Sequence, residues 1–350
     1  MSTGQAVAPA LETLREEIAA AAPRVDRGEC DTRSALRRLG EHDLLALGAP
    51  GNRDGRLPEA AHLVEQIAAC CLSSAFSLWA HRMTIEYLQL APHSQAGALL
   101  PELRAGRLIG CTAMAPALRD VSGVEEVPVR ARRDGGELVL DGPIRWASNL
   151  FPETVIVLPV HLGGRDRAVV CLRATDEGVR IHQPPRLLAL GATASSSVTL
   201  TGVRVPRGNV LSEDLPGFVA AFRPTFLVLQ TALCTGLAGA SLEAAQPRLT
   251  GLNAVFADEA ATLRARLEEL RRRLGAHAAD PAAAAVADLL RMRLEGARLA
   301  GEAARLEAAL HGGAGYAVGT PTNRRLREAA FFPAQSPTEG QLRWELSKYA

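Results

Sequence analysis

Net charge is almost absent from this sequence. Lys and Arg number 39 against 38 Asp and Glu, a formal charge of +1 over 350 residues. No overall basic field is available to hold nucleic acid or an acidic membrane surface. The local runs "RARR" (130–133) and "RRR" (271–273) read as solvated faces. The six cysteines, Cys30, Cys70, Cys71, Cys111, Cys171 and Cys234, show no C-x-x-C or zinc-finger spacing. They read as free thiols of a reducing compartment, not as a disulfide framework. The opening "MSTGQAVAPALETLREEI" lacks the basic start and apolar core of a signal peptide. No run of about 18 uncharged apolar residues stands out, so no membrane span is expected and a cytoplasmic protein is. His182 and His277 are isolated, no His/Asp/Glu cluster has metal-ligand spacing, and no metal is expected. "HGGAG" and "HLGGRD" lack the strand–turn–helix frame of a phosphate loop, and there is no G-x-S-x-G elbow and no internal repeat.

The remaining composition, 47% hydrophobic and 22% charged, is that of a globular chain long enough for two or three domains. Residues 1–110 carry apolar residues at helical spacing, as in "ALETLREEIAAAA" and the long apolar pair "PEAAHLVEQIAACCLSSAFSLWAHRMTIEYLQLA". From 111 to 213 the texture changes to short runs of alternating β-branched residues between Gly/Asp turns, as in "VPVRARRDGGELVLDGPIRWASN" and "TVIVLPVHL". That predicts a β-barrel or sandwich domain. From 214 to 350 helix returns. "PGFVAAFRPTFLVLQTALCTGLAGASLEAA" is apolar nearly all round and should be a central buried helix. Asp280 and Pro281 look like the N-cap and first residue of a further helix. The expected fold is therefore an α+β multi-domain chain: N-terminal helical domain, middle β domain, C-terminal four-helix bundle.

That order, together with four local stretches, resembles the acyl-CoA dehydrogenase family from about residue 35 to the C-terminus. The stretches are "LLPELRAGRLIGCTAMAP", "LDGPIRWASN", "LGATASSSVTLTGVRVPRGNVL" and "ALHGGAGYAVGTPTNRRLREA". The resemblance implies FAD between the β domain and the C-terminal bundle. It also implies a homodimer or homotetramer in which each subunit completes its neighbour's cofactor site, and an electron-transfer partner or flavin reductase. By position, Trp146 would cover the flavin ring and the Ser148 hydroxyl would bond to its N5. Arg248 and Thr250 fall where the family binds pyrophosphate, Gly312 and Gly313 where backbone approaches the partner's cofactor, and Thr338 on a flavin-contacting threonine. Met114 stands where the family has a threonine that bonds the flavin ring. The Gly-rich stretch that follows in the family is reduced to "ALRD", and the family's glutamine before the Gly pair is Ala309.

The family reaction removes a proton from Cα of an acyl thioester, which calls for a carboxylate over that carbon. Counting from Arg327-Glu328, which matches the family's "R-D" pair, the position of its glutamate is Ser336, with Thr338 and Arg343 in register. Glu339 is the alternative and needs about three inserted residues. Where some relatives carry a base on the central helix, this chain has "RPTFLVLQ", with no carboxylate. His81, in "SLWAHRM", is the candidate if the flavin works without Cα deprotonation, and His311 is a weaker one. The expected function is a FAD-dependent oxidoreductase dehydrogenating an acyl thioester on CoA or a carrier protein, or another acyl-derived small molecule. Two alternatives stay open: a monooxygenase of the same fold using reduced flavin and O2, and a non-catalytic homologue kept for binding or pairing.

Overall fold

A computed structural model describes residues 4–349. The first hundred residues form α1 (Gly4–Asp26), α2 (Arg33–Glu41), α3 (Leu57–Cys70), α4 (Leu72–Leu90) and the short α5 (Leu100–Arg104). β1 (Ile109–Thr112) and α6 (Ala115–Ser122) lead into β2 (Arg130–Asp134), β3 (Glu137–Ala147), β4 (Thr154–Gly163), β5 (Asp166–Arg173), β6 (Val179–Ile181), β7 (Ser196–Pro206) and β8 (Val210–Ser212). The chain then returns to helix: α7 (Leu215–Ala245), α8 (Ala257–Ala279), α9 (Val286–His311), α10 (Gly313–Tyr316), α11 (Pro321–Ala329) and α12 (Glu339–Leu346).

The strands make one mixed eight-stranded sheet in the order β6-β7-β3-β2-β4-β5-β8, with β1 added parallel to β4. The period of two explains why "TVIVLPV" is buried at every position and apolar at all but Thr154. Ile156, Leu158 and Val160 of β4, with Val170 and Leu172 of β5, face a core internal to the sheet. The alternate residues Val155, Val157, Val169 and Cys171 face the helices.

The helices on either side of the sheet in sequence are not separate in space. Leu36, Leu63 and Leu78 share one apolar core with Leu233, Leu237, Leu270 and Leu299. α7 runs through its middle and packs on α3, α4, α8 and α9. At Gly236 a Cβ would lie 2.2 Å from the Glu65 carbonyl oxygen, so α7 and α3 approach where no side chain fits. Residues 215–248 are long and apolar enough, by length and composition, to cross a membrane, which corrects the expectation that no run reaches that length. The physical reason is this central position: 94% of the apolar window is buried against neighbouring elements.

The expected helix start at Asp280-Pro281 is also corrected. Asp280 caps the C-terminal end of α8, its carboxylate accepts the Ala283 N–H (3.2 Å), and α9 begins at Val286. A short carboxylate before proline serves a turn as readily as a helix start.

Candidate functional site

A cavity of about 230 Å³ opens where α4, α6, the end of β3, α7 and the segment between α11 and α12 converge. Two devices place the end of β3 there. Asn149, just past the strand, turns the chain with φ of 63° and donates through Nδ2 to the carbonyls of Ser77 and Gly110, both at 3.0 Å. Gly110 lets β1 lie close on α4, since a Cβ there would meet the Thr84 side chain at 2.6 Å. Trp146 is thereby left half exposed at the cavity, with Ser148 two residues on in its wall.

Ser148 belongs to a line of buried hydroxyls. Thr193 Oγ1 donates to the Leu190 carbonyl (2.7 Å), which engages its one proton. Ser195 must then donate to Thr193 (2.7 Å), and Ser148 to Ser195 (2.6 Å). Ser148 therefore offers the cavity lone pairs and not its proton. This narrows the sequence reading, which gave the hydroxyl a bond to the flavin without a direction.

The segment between α11 and α12 forms another wall through Phe331, Gln335, Ser336 and Thr338. The backbone carbonyl of Ser336 accepts from Gln230 Nε2 on α7 (2.8 Å), while its own Oγ has no partner. The Thr338 hydroxyl caps α12, accepting the Gln341 N–H (3.3 Å). Two further donors in the wall are buried and without a partner: Trp79 Nε1, from α4, and Gln335 Nε2.

Four sequence candidates do not reach the cavity. Glu339 follows Ser336 by three residues but turns onto α9, where Arg298 (3.3 Å) and Arg343 hold it. Partial burial raises its pKa, and hydrogen bonds from Arg343 and Arg298 outweigh that, so it stays below the ordinary carboxylate value. His81 is fully buried. Its Nε2 meets the Leu103 carbonyl (2.9 Å) and its Nδ1 accepts the Gly110 N–H (3.0 Å), which fixes a neutral ring as a post between α4, α5 and β1. Burial lowers its pKa to about 4. Met114 is packed into the helical core, so it offers a cofactor nothing. His311 bonds to the Glu307 carbonyl of its own helix (2.9 Å).

Sequence reasoning missed Glu125, the one carboxylate among the residues lining the cavity. It follows α6, the helix formed by the "ALRD" departure, and it binds Arg119 (3.0 Å) and Arg145. Partial burial raises its pKa, but the hydrogen bonds from Arg119 and Arg145 prevail and keep it low. A carboxylate clamped by two guanidinium groups is a weak base. Its only sequence signal was its place just after the departure.

Arg248, Thr250, Gly312 and Gly313 form a second, separate group on the surface. None lines the cavity, and all are exposed. Asn253 donates to the Leu310 carbonyl (3.2 Å), which ties the turn after α7 to the end of α9. Gly312 has φ of 55°, and no atom lies within 4 Å of where either glycine's Cβ would be. Leu252, Val255, Tyr316 and Val318 on the same two turns are 78–88% exposed.

No family model matches the chain. The probable acyl-CoA dehydrogenase YngJ of Bacillus subtilis is 26% identical over 246 residues, 66% of this chain and 63% of that relative. Butyryl-CoA dehydrogenase of Megasphaera elsdenii superposes with a TM-score of 0.86 at 15% identity, covering 100% of this chain and 98% of that one. The chain has the fold of the acyl-CoA dehydrogenases and is similar to them in sequence. A glutaryl-CoA dehydrogenase from Mycobacterium smegmatis, solved with FADH2, superposes at a TM-score of 0.84 with 18% identity, covering 100% of this chain and 95% of that one.

The groups on this acyl-CoA dehydrogenase frame suit the ring end of FAD. There is an open cavity with an indole at its mouth, a fixed hydroxyl acceptor, and unpartnered buried donors in its walls. Pockets for small molecules usually run to about 300–1,000 Å³. One chain of this protein does not therefore enclose a whole dinucleotide.

Proposed function

We propose that the protein is a FAD-dependent oxidoreductase acting on an acyl thioester, with α,β-dehydrogenation as the reaction. One observation carries this reading: an open cavity with Trp146 and Ser148 on one wall and Ser336 on another, walls contributed by the sheet and the helices together. FAD held here would supply the acceptor for the hydride that leaves Cβ of the acyl group.

The chain's own residues have definable parts. Trp146 shields the ring from water, and Ser148 accepts a hydrogen bond from an N–H opposite it. Phe76, Trp79 and Phe226 stack into an apolar wall that excludes water from the acyl chain. Glu125 is the nearest available carboxylate, and it is an effective base only if ligand binding frees it from Arg119 or Arg145. The surface bearing Arg248, Thr250 and the Gly pair, with its exposed apolar side chains, meets a second copy of the chain. Each copy thereby completes the pyrophosphate end of its neighbour's cofactor site. The Arg248 guanidinium has no partner among the described residues and fits phosphate oxygens.

The absorbance spectrum tests the reading. Purified protein should carry flavin or take up added FAD, and the flavin should bleach on anaerobic addition of acyl-CoA. Colourless protein that takes up no FAD would establish the non-catalytic alternative instead. Flavin that no acyl thioester bleaches, but that turns over a substrate with O2 after chemical reduction, would establish the monooxygenase.

A further inference from the structure

We propose that Trp79, Gln335 and Ser336 form a recognition site for a carboxylate carried on the acyl group, with the buried charge of Arg293 behind it. The proposal rests on the reading that the cavity takes an acyl thioester and narrows it to the monothioester of a dicarboxylic acid.

Arg293 lies on α9 and is fully buried. Buried cations are ordinarily paired with carboxylates. Arg293 has only neutral acceptors: Gln230 Oε1 (3.2 Å), the Phe332 carbonyl (3.2 Å) and Gln335 Oε1 (2.9 Å). Its Nη1 has no partner, and it forms no ion pair among the described residues. The Phe332 ring, 5.7 Å from the guanidinium, is the remaining partner, so the charge has no counter-ion among the described residues.

Gln335 passes that charge to the cavity. Its oxygen is bound by the guanidinium, so its two N–H groups are what remain for a ligand to engage. An amide whose oxygen is bound by a cation is polarised into a stronger donor. Gln335 and Trp79 are each only 4% exposed, both line the cavity, and Gln335 Nε2 and Trp79 Nε1 have nothing to donate to. Ser336 Oγ, also in the wall, is likewise unpartnered. Glu125, the one carboxylate lining the cavity, is taken by Arg119 and Arg145 and does not compete. Three side-chain donors without acceptors line one cavity, and one of them is bonded to a cation without a counter-ion; together they match an anionic oxygen. A neutral acyl chain would leave both the donors and the charge unsatisfied.

Calorimetric titration of the purified protein with succinyl-CoA and with pentanoyl-CoA, an acyl chain of similar length without the charge, tests this. Wild type should bind succinyl-CoA tighter by about tenfold or more, the effect of hydrogen bonds to a charged group. Gln335→Glu should pair with Arg293, keep or raise Tm, and abolish the preference. Arg293 acts as a positioning residue, so Arg293→Met should shrink the preference and Arg293→Lys should restore most of it. A merely structural arginine would move Tm and leave the ratio of affinities unchanged. Equal affinities in wild type, or an unaltered ratio in Gln335→Glu, would overturn the proposal. Free succinate separates it from the thioester reading. If neither thioester binds but succinate binds wild type and not Gln335→Glu, the carboxylate site stands and the thioester reading falls. If succinate also fails to bind, the site falls.

Discussion

His81 gives the most direct physical test of how the site is supported. In the folded chain the ring is neutral: one nitrogen donates to the Leu103 carbonyl and the other accepts the Gly110 N–H. A second proton would displace the Gly110 bond and place a charge in a fully buried position. Burial accordingly holds the pKa at about 4, against 6.5 for the free side chain. The unfolded chain binds this proton at higher pH than the folded chain does. His81 therefore contributes nothing to pH dependence above about 7, and stability falls as pH drops from about 6.5 toward 4. Below that, both states are protonated and the loss levels off. The gap corresponds to about 3 kcal/mol at full extent, with most of it lost by pH 4.5. Carboxylates also titrate in this range, so the isolating measurement is a comparison. Urea unfolding of wild type and His81→Gln should be followed at intervals from pH 7 to 4.5. The glutamine amide can keep a donor and an acceptor in place without a titrating group. The wild-type curve should fall more steeply by about 2–3 kcal/mol over that interval. Parallel curves would refute the account of His81 as a neutral buried post.

Two further predictions concern the site. Glu339→Gln should leave acyl-CoA bleaching of bound flavin unchanged, since that carboxylate faces Arg298 and Arg343, and it should cost at most about 1 kcal/mol in urea unfolding. A bleaching rate lowered a hundredfold would return Glu339 to the role of base. Asn149→Ala should cost about 1–3 kcal/mol, because it leaves the buried Gly110 carbonyl without its donor and removes a second bond to the Ser77 carbonyl of α4, and it should also weaken FAD uptake by loosening the Trp146–Ser148 segment. Unchanged FAD affinity in a destabilised variant would show that Asn149 supports the fold without positioning the site.

Much of the fold was legible from period and punctuation. The switch from helical spacing to alternation near 110 and back near 214 follows from which faces must be buried, and burial leaves its period in the sequence. The apolar surround of "FLVLQTALCTGLAGA" marked α7 as central for the same reason. Trp146, Ser148 and Ser336 became candidates only through the resemblance of their surrounding stretches to the acyl-CoA dehydrogenases, and the structure brings all three to the cavity wall.

Other properties belong to residues far apart in sequence, and only packing decided them. His81 reads as a reactive imidazole until Leu103 and Gly110 occupy both its nitrogens. Glu339 reads as a base until α12 turns it onto Arg298. Glu125 enters the cavity because "ALRD" forms a helix, and two arginines from different elements then clamp it. Arg293 reads as one more arginine on an amphipathic helix until α7 and the α11–α12 segment enclose it among neutral acceptors. A side chain's type is set by the sequence, but its charge state and hydrogen-bond partners depend on which groups water can no longer reach. In this protein those groups come from elements as far apart in sequence as α4 and α12.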